Sequence, residues 1–242
     1  MSYDIVSFDL DGTLVDTAAD IAEAVNRTFE SLGVAPRSVA EVALLIGDGS
    51  RQLMCKLLAG LTLEQPELAE TIRTEVVLEC FERHLCATMG SSALPYPGVR
   101  EALALLKNAG VRLACVSNKE LRHAHRVLQG ARLDHLFELV VGGDSLPQKK
   151  PHASVLRHVV ETLNGDPRRT AHVGDSSIDV QAARNAGVAA WAVPYGYNAG
   201  VPIAESDPQR IFPGLMQVAE HVLASRSNGS TAAPSLSRLG VL

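Results

Sequence analysis

Residues 8–17 read FDLDGTLVDT, with Asp9 and Asp11 directly behind the apolar run Ile5, Val6 and Phe8. Two carboxylates this close at the end of a buried strand repel one another unless a cation lies between them. A second pair, Asp175 and Asp179, falls in VGDSSID (173–179), while VSN (116–118) supplies Ser117 and Asn118 and KKP (149–151) supplies Lys150. Mg2+ takes hard oxygen ligands and few carboxylates, leaving places for water and substrate phosphate. Such an ion makes Asp9 and Asp175 compatible neighbours. One carboxylate can then attack phosphorus and form an aspartyl phosphate, with Lys150 and fixed donors offsetting the repulsion between the two anions. The chemistry that this set suits is phosphoryl transfer.

Each piece also has a plainer reading. A D-x-D at a strand end can be a solvated turn, Ser and Asn are good helix caps, a lysine before a helix is usually solvated, and Asp179 can simply favour a helix N-terminus. Gly12 and Thr13 sharpen the first piece, because glycine permits a tight turn whose N–H groups face an anion. What decides is position. In open parallel sheets ligands gather beyond the carboxyl ends of the strands, and all four pieces fall at such ends.

The elements that must hold them are legible as short apolar runs: 5–9, 111–118, 139–144, 170–175 and 188–194. Helical patterns lie between the later runs, at about 120–130, 152–163 and 178–186, and PGVREALALLKNAG (97–110) shows both helix boundaries in Pro97 and Gly110. Near-continuous apolar strands alternating with helices predict an α/β fold, a doubly wound, Rossmann-like parallel sheet covered on both faces. The 33 positions from Ser117 to Lys150 and the 25 from Lys150 to Asp175 each fit one strand–helix unit, whereas the 108 from Asp9 to Ser117 do not. The excess is itself helical: 19–33 places Ile21, Ala24, Val25 and Phe29 on one face, and 66–89 carries Leu68, Ile72, Val76 and Phe81. The expected organisation is therefore a core of 1–15 and 94–224 and an inserted helical cap of 16–93. A tail, 225–242, holds five serines in 18 residues and is expected to be disordered or loosely attached.

Composition narrows the class. With 46% apolar residues and a formal charge of −5 the chain can bury a large core, and it shows no basic stripe for nucleic acid. The start MSYDIVSFDLDG lacks a basic leader and no run approaches a membrane span. Four cysteines form no C-x-x-C pair and read as small core hydrophobes; Cys80, His84 and Cys86 lack a fourth zinc ligand. The expected location is a reducing cytoplasm. His123 and His125 read as surface or packing residues, and His172, within a strand, as a packed core histidine.

DLDGTLVD followed in order by VSN, KKP and GDSSID resembles the haloacid-dehalogenase-like superfamily of phosphohydrolases. That resemblance implies Asp9 as nucleophile and Asp11 as the acid that protonates the leaving oxygen and then activates water. It implies Ser117 and Lys150 on the phosphoryl oxygens, and a metal, Mg2+, on the Asp9 side chain, the Asp11 carbonyl and Asp175, with Asp179 in support. Asn118, Gly12 and Thr13 join the phosphate-binding set. Dehalogenases of the superfamily lack the second aspartate, so Asp11 points to a phosphatase. KKPHASVL (149–156), PYGYNAGVPI (194–203) and the cap loop IGDGSRQLM (46–54) resemble the phosphoglycolate phosphatases within it, although Ala153 stands where a further proline is common. The likeness implies 2-phosphoglycolate as substrate, with Arg51 either meeting its carboxylate or lying on the surface. It leaves open a phosphatase for sugar phosphates such as N-acetylmuramic acid 6-phosphate, a phosphomutase, or a silent phospho-ligand binder. The expected partner is a small phosphorylated metabolite, not nucleic acid or membrane, and the expected state a monomer or homodimer.

Overall fold

The computed structural model of the chain describes residues 2–67 and 72–230. In chain order the elements are β1 (Ile5–Phe8), β2 (Val15–Asp16), α1 (Ala18–Ser31), α2 (Val39–Ala43), α3 (Ser50–Glu64), α4 (Thr74–Thr88), β3 (Leu94–Pro95) and α5 (Val99–Asn108). Then follow β4 (Arg112–Val116), α6 (Leu121–Gly130), β5 (Leu139–Val141), α7 (Ala153–Thr162), β6 (Thr170–Gly174), α8 (Ser177–Ala186), β7 (Ala189–Ala192), β8 (Arg210–Ile211) and α9 (Leu215–Ser230).

The main sheet has six strands in the order β5-β4-β1-β6-β7-β8, every pair parallel. Side chains alternate across β1. Val6 and Phe8 join Leu113, Cys115 and Val173 on a face covered by α5, α6 and α9, while Ile5 joins Ala114, Val116 and Ala190 on the face covered by α7 and α8. Trp191, the only tryptophan, sits on β7 at 1% exposure, edge-on to Tyr3 at 4.7 Å and to Phe212 at 5.4 Å between ring centres. Because β1 lies between β4 and β6, the chain leaves it first to one side and then crosses to the other. That reversal opens the crevice where doubly wound sheets hold ligands.

Helices α1 to α4 occupy the stretch between β2 and β3. Ile21, Ala24, Val25 and Phe29 bury the predicted face of α1 against α4. The second helical stretch differs from expectation. The helix starts at Thr74, and its buried stripe is Val77, Leu78, Phe81 and Leu85, leaving Val76 58% exposed; Leu68 lies outside the described residues. The sequence offers several apolar residues per turn here, and packing against α1 selects the phase. β2 and β3 pair antiparallel, Val15 with Pro95 and Asp16 with Leu94, so the exit and return of the insertion are tied together. Behind them the Asp20 carboxylate accepts from the amides of Gly90 (2.8 Å) and Ser92 (3.1 Å).

Two further corrections concern the ends of elements. Helix α9 runs to Ser230, so the first six residues of the expected tail are helical; the rest lies outside the described residues. Of the cysteines only Cys115 is fully buried, and the other three are half-buried and free. Among the described residues no helix is long and apolar enough to cross a membrane.

Candidate active site

The carboxyl ends of β1, β4 and β6 bring Asp9, Ser117 and Asp175 together, and the loop before α7 adds Lys150. Lys150 is 3% exposed, and its ammonium donates to Asp9 Oδ1 (2.6 Å), Asp179 Oδ1 (2.7 Å) and the Val116 carbonyl (2.7 Å). All three ammonium donors are therefore used within the protein. Asp179 has two functions at once. Its Oδ2 accepts from the Ser176 hydroxyl (2.6 Å) and amide (3.1 Å), closing a capping box on α8, while Oδ1 holds Lys150. His172 extends this chain inward, with Nε2 3.3 Å from Asp179 and Nδ1 2.9 Å from the Ser7 hydroxyl; it is a core histidine, as predicted, but a hydrogen-bonded one.

The charges are not balanced. Burial, reinforced by the Asp179 and Asp11 carboxylates, outweighs Lys150 and pushes the Asp9 carboxyl up to about 7. Burial and then the Asp9 carboxylate hold Asp175 well above the usual carboxylate range. Burial would also raise Asp179, but Lys150 and His172 outweigh it and keep it well below that range. Burial would lower Lys150; the Asp179 and Asp9 carboxylates overcome this and hold it above its ordinary value. One oxygen each from Asp9, Asp175 and Asp179 lie within 4.8 Å of one another, all buried. Lys150 cannot neutralise three carboxylates, and the raised Asp9 and Asp175 mark where positive charge is missing. A hard-oxygen donor set short of counter-charge fits a divalent cation.

Asp11 stands across the cleft. Thr17 Oγ1 donates to its Oδ1 at 2.5 Å and Lys119 Nζ lies 3.3 Å from the same oxygen, while no donor among the described residues reaches Oδ2. One carboxylate oxygen is thus anchored and the other is free, in a residue that lines the cleft. Lys119, 5% exposed, and Thr17, fully buried, escaped the sequence reading. Lys119 directly follows VSN, so its place beyond β4 was the available signal; Thr17 had none.

Several predicted phosphate contacts have other partners. Thr13 is fully buried and donates to Asp175 Oδ1 at 2.7 Å, so its hydroxyl orients a carboxylate and does not face the cleft. Gly12 directs its N–H to the Val15 carbonyl. The amides of Leu10 and Asp11, next to Asp9 in the chain, have no acceptor among the described residues. Asn118 Nδ2 bridges the carbonyls of Gly47 and Lys150, both at 3.0 Å, and so ties the loop before α3 to the loop before α7. Ser117 lines the cleft. Arg51 does not: it is 62% exposed and paired with Glu75 at 3.0 Å. Ser50, Leu53 and Met54 set the inward face of α3, and Arg51 is rotated out of it by the helical period.

Gly12 has a different necessity. Its φ is +88°, and a Cβ there would collide with the Asp175 carboxylate and lie 2.8 Å from the Tyr197 ring. Gly12→Ala is therefore expected to lower kcat/KM by about 10²-fold or more by displacing Asp175, with circular dichroism unchanged.

Cys80, His84 and Cys86 are not brought together among the described residues. Cys86 instead meets Glu82 and His123. The Arg122 guanidinium, 2.7 Å from the same Glu82 oxygen that His123 contacts at 2.8 Å, supplies the positive charge there. His123, 1% exposed, thus pins α6 to α4, and burial lowers its pKa.

A parallel sheet with two carboxylates beyond β1, a hydroxyl beyond β4 and a lysine–aspartate pair beside β6 defines a class. The family model for haloacid dehalogenase-like hydrolases matches residues 6–193, and the chain belongs to that family. Its relatives include a phosphoglycolate phosphatase of Nitrosospira multiformis, 40% identical over 220 residues that cover 91% of this chain and 96% of that one. Another, from Psychrobacter arcticus, is 37% identical over 227 residues, covering 92% and 97%. The crystal structure of a predicted phosphoglycolate phosphatase from Haemophilus somnus 129PT superposes with a TM-score of 0.83 at 32% identity, covering 91% and 98%. The chain is accordingly a hydrolase of the phosphatase group.

Proposed function

We propose that the protein is a Mg2+-dependent phosphomonoester hydrolase that converts 2-phosphoglycolate to glycolate and phosphate. The observation that carries this reading is the placement of two carboxylates with opposite surroundings on one cleft. Asp9 is set against a fixed ammonium, and Asp11 has one anchored and one free oxygen. The names of the relatives supply the substrate.

Asp9 attacks phosphorus through a carboxylate oxygen while the bond from phosphorus to the glycolate oxygen breaks. Asp11 Oδ2 delivers a proton to that departing oxygen. Asp11 then takes a proton from water, which attacks the phosphoryl group, breaks its bond to Asp9 and frees inorganic phosphate. Lys150, the Ser117 hydroxyl and the amides of Leu10 and Asp11 meet the charge on the phosphoryl oxygens. Mg2+ held by Asp9, Asp175 and the Asp11 backbone carbonyl would supply the remaining positive field. Helices α1 to α4 act as the cap, with Asn118–Gly47 and the Ser50–Glu120 bond (2.7 Å) joining cap to core around bound substrate.

The test is kcat/KM for 2-phosphoglycolate beside a panel of sugar phosphates and nucleotides, with Mg2+ and after chelation. A preference of about 10²-fold for 2-phosphoglycolate, lost with EDTA and restored by Mg2+, is expected. A sugar phosphate ahead of it overturns the substrate, and EDTA-resistant turnover overturns the metal.

A further inference from the structure

We propose that Lys119 is the counter-charge for the substrate carboxylate and, with the open N-terminus of α3, forms the subsite that selects a phosphorylated acid. This rests on the phosphoglycolate reading above. It replaces Arg51, which the geometry removes from the cleft.

Lys119 is as buried as a core residue yet poorly partnered. Its ammonium has three donors; among the described residues the only acceptors within reach are Asp11 Oδ1 at 3.3 Å and the Met89 sulfur at 3.5 Å. A thioether compensates little charge, and 3.3 Å is long for a charge-assisted bond, which runs at about 2.7–2.9 Å. Lys150, equally buried, meets three oxygens within 2.7 Å. A buried cation left in this state calls for an anion, and the cleft it lines is bounded by Asp9, Asp11, Ile46, Gly49 and Leu53.

Connectivity places that anion. Asp11 protonates the bridging oxygen, and in 2-phosphoglycolate the carboxylate carbon is two bonds from that oxygen. An ammonium 3.3 Å from the other oxygen of Asp11 is therefore within reach of that carboxylate.

The second wall has matching polarity. α3 begins after Gly49, which has no side chain to cap it, and the amides of Ser50, Arg51 and Gln52 have no acceptor among the described residues. Positive φ at Gly47 (136°) and Gly49 (90°) brings this turn against the core, where a Cβ on Gly49 would lie 2.8 Å from the Asn118 carbonyl. Glu120 engages the Ser50 hydroxyl and leaves the amides free. Helix N-termini favour anions, and Ile21, Ile46 and Leu53 between the two walls offer nothing to a sugar's hydroxyls.

The experiment compares kcat/KM for 2-phosphoglycolate and for ethyl phosphate, which keeps the leaving-oxygen frame without the carboxylate. It uses the wild type, Lys119→Gln and Lys119→Arg, with Tm measured for each. The selectivity ratio is expected to fall by about 20-fold or more in Lys119→Gln, mainly through KM for 2-phosphoglycolate, and to recover in Lys119→Arg. Lys119→Met, which keeps the stem packing, gives the same comparison if Lys119→Gln does not fold. A ratio retained while kcat falls equally for both substrates overturns the proposal and makes Lys119 only a partner of Asp11. A wild-type ratio near one overturns the substrate reading beneath it, before any variant is considered.

Discussion

Asp9→Asn is expected to abolish turnover, by at least ~10⁴-fold in kcat, and at the same time to raise the Tm of the metal-free protein. The first effect follows from losing the attacking oxygen's charge. The second follows from the sign of the pKa shift. Asp9 is pushed from the usual carboxylate range up to about 7, so its ionisation opposes folding. The stability it contributes is complete below the unfolded value, near pH 4, and is lost as pH rises through about 7. Asparagine keeps an oxygen for Lys150 and removes the charge. The gain should be absent at pH 4, grow through pH 5–7 and level off above, reaching roughly 2–4 kcal/mol. Saturating Mg2+ should shrink the difference by stabilising the wild type alone. Scanning calorimetry at pH 4 and 8 with EDTA checks it; a lower Tm for the variant at pH 8 would refute the account of an unbalanced carboxylate cluster.

Lys150→Met should be inactive for a different reason and should also be unstable. The methionine fills the stem's volume but leaves Asp9 and Asp179 buried without their common cation. Breaking a buried pair from one side costs about 3–5 kcal/mol, roughly a 10 °C fall in Tm for a chain of this size. Adding Asp179→Asn removes one of the stranded anions, so the double variant should recover part of the stability and none of the activity. Additive losses in that cycle would show that Lys150 and Asp179 do not act as a unit.

How far the sequence reached can be read from individual residues. The strand runs and the order of the motifs located β1, β4 and β6 because parallel strands are apolar throughout and end abruptly in polar groups. Asp9, Asp11, Lys150 and Asp175 are chemically unusual at such ends, so type and topology sufficed to gather them. Thr13 and Asn118 were legible as residues near the site but not in their roles. A hydroxyl or amide can serve a phosphate, a carboxylate or a carbonyl equally well, and only the positions of Asp175, Gly47 and Lys150 decide. Arg51, left open between the substrate carboxylate and the surface, takes the surface for a helical reason: Ser50 lines the cleft, but 100° of rotation per residue carries the next side chain away. The β2–β3 pair was invisible, since two residues per strand leave no period to detect.

The edge-on cluster around Trp191 has a consequence for observing the molecule. It is the sole indole, and its aromatic neighbours, Tyr3, Phe212 and His221 of α9, all lie outside α1 to α4. Its fluorescence therefore reports the packing of the sheet against α9 more directly than that of the helices inserted between β2 and β3. Far-ultraviolet dichroism weighs those helices heavily. Denaturation followed by both signals separates loosening of α1 to α4 from collapse of the sheet, with no label added to the chain.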